Sequence, residues 1–345
     1  MRPEEDELFS WVLDLVPKAR YNLTSSGLGE PALSTMGIDT SYQDYGPSEN
    51  DHFREQEFAE AVARLYRVEP ANIVPTAGAS ESIFLIYSTL GVGRRAVVPL
   101  PNYPAMFTVP RALGMGISNN LVALRSGKTI LGVTDPNNPT GERADGEATS
   151  KLTSGKDALV FVNETYKEFS FPGSPATNFG TIRGAVVCST MTKFYGLGRL
   201  RVGWVMADRR SAQKLMYAKW AVSGHDSEYS LWIATQVLKN RRRFVERARK
   251  LVSVNRRLVR RFLAQTSCVS AEVGVTPFCL VRYKKGPSSV VLAKELFDRT
   301  GVLVTPGDFF GAPKAFRLCY TADEKTLKVG LQKLSEFLNH KLKSD

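Results

Sequence analysis

In the stretch Ser189-Thr190-Met191-Thr192-Lys193-Phe194-Tyr195-Gly196-Leu197-Gly198-Arg199-Leu200-Arg201-Val202-Gly203, a lysine follows an apolar run among hydroxyl residues, and an arginine comes eight residues later. A lysine so placed can form a Schiff base with a carbonyl group, provided burial keeps it neutral part of the time. Arg201 can grip a phosphate with two donors and a fixed positive charge. Upstream, Pro75-Thr76-Ala77-Gly78-Ala79-Ser80-Glu81 is a small-residue turn feeding an apolar helix expected at Ile83 to Leu90. The free N–H groups and dipole of such a helix start attract anions, although a serine with a glutamate behind it is also an ordinary helix cap. Further along, Arg317 lies in the strand-like Ala315 to Tyr320, where an arginine ordinarily faces solvent.

The elements that must position these residues are legible as short apolar runs. Arg95 to Leu100, Thr129 to Thr134, Ala158 to Val162, Ala185 to Cys188 and Val202 to Met206 read as buried strands. Fully apolar strands separated by connections indicate an α/β fold with a mainly parallel sheet covered on both faces. Ligands bind such sheets beyond the carboxyl ends of the strands. Asn102-Tyr103, Asp135 to Gly141, Asn163 to Tyr166 and Thr190 to Lys193 all fall there, which points to a single active site. A helical Glu4 to Val16 and an extended Tyr21-Asn22-Leu23 open the chain. Strand-like segments at Pro277 to Tyr283, Gly301 to Thr305 and Ala315 to Tyr320, closed by a leucine-striped helix from Leu327 to Leu338, read as a smaller α+β domain.

The 345 residues suffice for one large and one small domain. No apolar run approaches a membrane span. Cys188, Cys268, Cys279 and Cys319 lack a CxxC spacing and read as reduced residues of a cytoplasmic protein. With three histidines, a histidine-based metal site is not expected. Much of the formal charge of +12 is concentrated between Lys239 and Arg261. Phe244, Ala248, Leu251, Leu258 and Phe262 recur there at helical spacing, so the segment reads as an amphipathic helix with a solvated basic face. No aromatic interleaving or nucleic-acid motif accompanies the charge.

Together these motifs resemble the fold type I pyridoxal-phosphate (PLP) enzymes, the class I/II aminotransferases. The resemblance runs from about Tyr21 to the C-terminus. It implies that Lys193 holds the cofactor as a Schiff base and then shuttles a proton. It also implies that Gly78, Ala79, Ser80, Thr190 and Arg201 surround the phosphate, and that Tyr103 stacks on the pyridine ring. Asn138, in the Asp135-Pro136-Asn137-Asn138-Pro139-Thr140-Gly141 loop, and Tyr166 would meet the phenolic oxygen. Arg317 would bind the substrate carboxylate, with Asn22 beside it. Tyr45, in Tyr45-Gly46-Pro47, would reach a neighbour's phosphate across a two-fold dimer. The main departure is Asn163: family members carry aspartate there, whose charge keeps the pyridine nitrogen protonated. Glu164, on the opposite strand face, is a poor substitute. The segments between Tyr103 and Asp135 and between Gly141 and Val160 are shorter than is typical, which implies a trimmed large domain.

The implied activity is transfer of an amino group between an amino acid and a 2-oxo acid. The implied layout is an N-terminal segment (1–30), a large PLP-binding domain (31–236), a connecting helix (237–262) and a small C-terminal domain (263–345). Two rivals remain: a β-lyase or decarboxylase on the same scaffold, with Asn163 reflecting altered electronics, and a nonenzymatic nucleic-acid-binding protein using the basic helix. The second is disfavoured by the missing nucleic-acid motif. No membrane partner is expected.

Overall fold

The computed structural model describes residues 1–2, 5–41, 53–170 and 176–343. Helix α1 (Glu7–Leu15) starts where the Asp6 carboxylate accepts from the Phe9 N–H at 3.0 Å, later than the expected Glu4. Strand β1 (Tyr21–Asn22), α2 (Phe53–Tyr66), β2 (Ile73–Thr76) and α3 (Ala79–Leu85) follow, with a π turn over Ile86–Leu90 extending α3. Next come β3 (Arg95–Val97), α4 (Ala105–Ala112), β4 (Ile117–Ser118), β5 (Thr129–Thr134), α5 (Gly146–Thr153), β6 (Ala158–Asn163), β7 (Ala185–Thr190) and β8 (Gly203–Met206). Strand β3 stops at Val97 rather than at Leu100, because Pro99 and Pro101 bring no backbone donor to extend the ladder.

These strands form a seven-stranded sheet in the order β2-β8-β7-β6-β5-β3-β4. The pairings from β4 through β7 are parallel, and β8 runs antiparallel to both β7 and β2. Alternation within β6 shows both faces buried: Val160 and Val162 join one core cluster, Phe161 the other. The carboxyl ends of β5, β6 and β7 therefore deliver Thr134, Asn163 and Thr190 to one edge.

Helices α6 (Arg209–Val222) and α7 (Glu228–Lys239) lead to the basic helix α8 (Arg241–Gln265). Asn240 separates α7 from α8, and α8 continues past the expected end at 262. Its stripe of Phe244, Ala248, Val252, Val259 and Phe262 is buried. Several of its arginines serve the fold. Arg241 pairs with buried Glu168 at 2.5 Å, Arg256 donates to the Val275 carbonyl at 2.9 Å, and Arg242 pairs with Glu246.

The remainder is β9 (Val269–Ser270), β10 (Phe278–Tyr283), α9 (Ser289–Thr300), β11 (Val302–Leu303), β12 (Thr305–Pro306), β13 (Ala315–Cys319) and α10 (Glu324–Lys343). Strands β12-β13-β10-β9 make a four-stranded antiparallel sheet. Strand β1 pairs in parallel with β11, and the Cys319 N–H donates to the Leu23 carbonyl. Farther on, the Leu28 N–H donates to the Lys193 carbonyl at 2.8 Å. The segment from 21 to 28 is thus stitched to the small sheet at one end and to the lysine loop at the other. The four cysteines are free thiols, with Cys188, Cys279 and Cys319 buried. Among the described residues no helix is long and apolar enough to cross a membrane.

Candidate active site

A cavity of about 740 Å³ opens beyond the carboxyl ends of β5, β6 and β7, closed on its other sides by α1, the segment from 22 to 28 and β13. Asn22, Ala79, Ser80, Tyr103, Asn138, Asn163, Tyr166, Thr190, Lys193, Arg201 and Arg317 all line it. Gly78 lies directly beneath Arg201. Tyr45 falls outside the described residues.

Lys193 follows β7 in a tight loop. A Cβ on Gly27 would sit 3.1 Å from both the Cα and the Cδ of Lys193, so any side chain there would push the 24–28 segment and the lysine apart by a few tenths of an ångström. Burial, followed by the nearby Arg317 guanidinium, pulls the Lys193 amine down from its ordinary 10.5 to about 8. A lysine with that pKa is a usable nucleophile and base near neutrality.

Arg317 is 3% exposed and held in a defined fork. Its Nη1 donates to Asn138 Oδ1 at 2.8 Å and its Nη2 to the Thr24 carbonyl at 3.2 Å, while Phe310 and Phe278 flank the guanidinium at 4.9 and 5.6 Å. Its Nε has no partner among the described residues. A buried guanidinium with an unused donor suits an anionic guest, because an unpaired buried N–H is costly. Asn138, in accepting from Arg317, is oriented with its NH2 free to donate elsewhere.

At the opposite end, β2 turns at Gly78 (φ +92°) into α3. A Cβ on Gly78 would lie 2.9 Å from Arg201 Nη2, so the guanidinium occupies the space a side chain would need. Arg201 takes a left-handed backbone (φ +53°) and donates to the Ala77 carbonyl at 3.0 Å. The first N–H groups of α3, Ser80, Thr190 and Arg201 surround one end of the cavity, a donor set for an anion. The Thr190 hydroxyl already bonds the Val202 carbonyl at 2.9 Å and Thr192 at 3.0 Å.

Tyr166 donates to Ser26 Oγ at 2.8 Å, and burial pushes its phenol up. Burial also raises the Tyr103 phenol to about 12. Asn22 Oδ1 accepts from the Thr24 N–H and hydroxyl at 2.9 and 2.7 Å. Glu164, one residue past the end of β6, does not line the cavity and accepts from Asn178 and Thr177. Burial raises it to about 7. Sequence reasoning missed Thr24, Ser26 and Gly27, which belong to no motif; Glu81, read from the sequence as part of a helix cap, accepts from the Ala77 N–H at 2.6 Å and from Ser223. The run of small residues in an otherwise unpatterned stretch was the available signal for the first three.

A doubly covered sheet with a partly neutral lysine, an anion cradle and a buried arginine around one cavity is the arrangement of fold type I PLP enzymes. The chain belongs to the family Aminotransferase class I and II, whose model matches residues 37–334. Members of this family are PLP-dependent. A PLP-dependent aminotransferase from Streptococcus suis shares the fold at a TM-score of 0.86 and 22% identity, covering 99% of each chain. A double mutant of the Thermus thermophilus aspartate aminotransferase aligns at a TM-score of 0.80 and 21% identity, over 98% of this chain and 97% of that one. Capreomycidine synthase of Streptomyces vinaceus is 25% identical over 96% of this chain and 93% of its own length. A histidinol-phosphate aminotransferase of Chlorobium phaeobacteroides is 27% identical, over 38% of this chain and 41% of its own length.

Proposed function

We propose that the chain is a PLP-dependent aminotransferase that moves an amino group between an amino acid and a 2-oxo acid. The observation that carries this reading is the pairing, within one cavity, of Lys193 lowered to about 8 with Arg317 whose Nε is unused. The residues present suit PLP. The Gly78–Ser80 turn, Thr190 and Arg201 would hold its phosphate, and Tyr103 would stack on its ring. The free amide of Asn138 and the Tyr166 phenol would meet its phenolic oxygen. Bound there, PLP supplies an aldehyde for the amine and a ring that withdraws electrons from the reacting carbon.

Lys193 is the attachment point and, once displaced by the substrate amine, the base that takes the Cα proton. Arg317 orients the substrate by its carboxylate, and Asn22 borders the same space. The segment from 24 to 28 excludes water from the lysine side. Leu8, Phe9, Val12 and Val16 supply an apolar wall, which suits an amino acid with an apolar side chain. Arg199, the lining cation among the described residues without a role above, pairs with Glu30 at 3.5 Å. The same reading includes a division into a large unit around the seven-stranded sheet (31–236) and a small one (263–345), a cytoplasmic homodimer, and Tyr45 serving the neighbouring site.

The test adds amino acids singly to the PLP-loaded protein and assays for the matching 2-oxo acid. Formation of one 2-oxo acid per cofactor without an acceptor, and turnover with one, is expected. Release of carbon dioxide or of a β-substituent instead would overturn transamination. A β-lyase or decarboxylase is the second reading, because Asn163 departs from the expected carboxylate.

A further inference from the structure

Asn163 ends β6 at the floor of the cavity, 3% exposed. Its Oδ1 accepts from the Thr165 backbone N–H at 3.1 Å and from the Thr165 hydroxyl at 2.6 Å. A backbone N–H can only donate, so the amide atom facing it must be the oxygen. The orientation of the amide is therefore fixed by chemistry rather than by the choice of which atom is drawn as nitrogen. What remains is the NH2 group, whose partner among the described residues is Met106 Sδ at 4.0 Å, a weak acceptor.

Nearby carboxylates are committed elsewhere. Glu164 is turned to Asn178 and Thr177. Asp135 is bound by Lys167, by Asn178 at 2.7 Å and by the Ala144 N–H at 3.0 Å. Glu30, the carboxylate among the cavity-lining residues, pairs with Arg199. Among the described residues the floor thus offers a fixed amide donor and no anion.

We infer that Asn163 donates a hydrogen bond to the pyridine nitrogen of PLP and holds that nitrogen unprotonated, with Thr165 as the positioning residue that prevents the amide from turning over. This rests on the reading that the cavity holds PLP against Asn163. A protonated ring nitrogen would set N–H against N–H at a buried site, and a hydrogen bond to the neutral form disfavours the charged one. The uncharged ring withdraws fewer electrons, so removal of the Cα proton leans more heavily on Lys193. Substrates whose Cα–H bond is already weakened are favoured over unactivated ones.

The test is the ¹⁵N resonance of PLP labelled at the ring nitrogen, recorded on the wild-type holoenzyme across the pH range where it is folded. The expected resonance lies in the unprotonated pyridine range and does not move with pH. In Asn163→Asp it is expected to shift upfield into the pyridinium range. A pyridinium resonance in the wild-type protein overturns the inference while leaving the cofactor reading intact. Absence of any bound-PLP resonance or Lys193-dependent visible absorption overturns the cofactor reading itself, and this inference with it.

Discussion

A lysine amine captures a carbonyl only as the free base, and burial next to Arg317 is what brings Lys193 down to about 8. The rate of PLP capture should therefore climb with pH through a midpoint near 8, followed as growth of visible absorbance. Replacing Arg317 with leucine removes a cation that lowers Lys193, so the midpoint should move upward. The same variant loses a charge-assisted pair, about 1.5–3 kcal/mol, so amino-acid affinity should fall roughly 10- to 160-fold in a binding titration. Linkage gives a further sign. Because the folded pKa lies below 10.5, the unfolded chain binds more protons at this group between about 8 and 10.5. Lys193 therefore makes the unloaded protein more stable as pH rises through that window, and Lys193→Met should remove that part of the slope in denaturant melts.

Turns set these side chains in place, and glycines at two of them are under direct steric demand. At Gly196 (φ +77°) a Cβ would lie 2.5 Å from the Gly29 carbonyl oxygen, and at Gly78 it would press on Arg201. Gly196→Ala should cost about 1–3 kcal/mol in a denaturant melt, from the left-handed backbone alone. Gly78→Ala should in addition weaken PLP binding, because Arg201 must leave its position. Strand β5 was legible from an unbroken apolar run at Thr129 to Thr134, and α8 from its helical stripe. The motif loops were legible because asparagine, proline and glycine mark turns. Thr24, Ser26 and Gly27 were not, since they reach Arg317, Tyr166 and Lys193 over separations such as 293 residues, and nothing local announces such a contact. That Glu164 faces away from the cavity was expected from its place next to Asn163, but its Asn178 and Thr177 partners lie beyond the strand and left no periodic trace.

The molecule as a whole brings three separate parts of the chain to one cavity: the parallel sheet, the N-terminal segment and the small antiparallel sheet. The joint between the first sheet and α8 depends on the buried Arg241–Glu168 pair, to which the Tyr195 phenol also donates at 3.0 Å. Removing one partner of a buried pair strands the other, so Glu168→Ala should lower stability by about 3–5 kcal/mol. Because Tyr195 is two residues from Lys193, the variant should also slow PLP capture at temperatures where it stays folded. Membership of the aminotransferase family explains why these parts converge, and the reactive lysine is the point on which the whole reading turns. Borohydride reduction of the PLP-treated protein, followed by peptide mass mapping, reads that point directly. A single stable pyridoxyl adduct at Lys193, absent from Lys193→Ala, is the expected result. An adduct spread over surface lysines, or none at all, would contradict Lys193 as the attachment point.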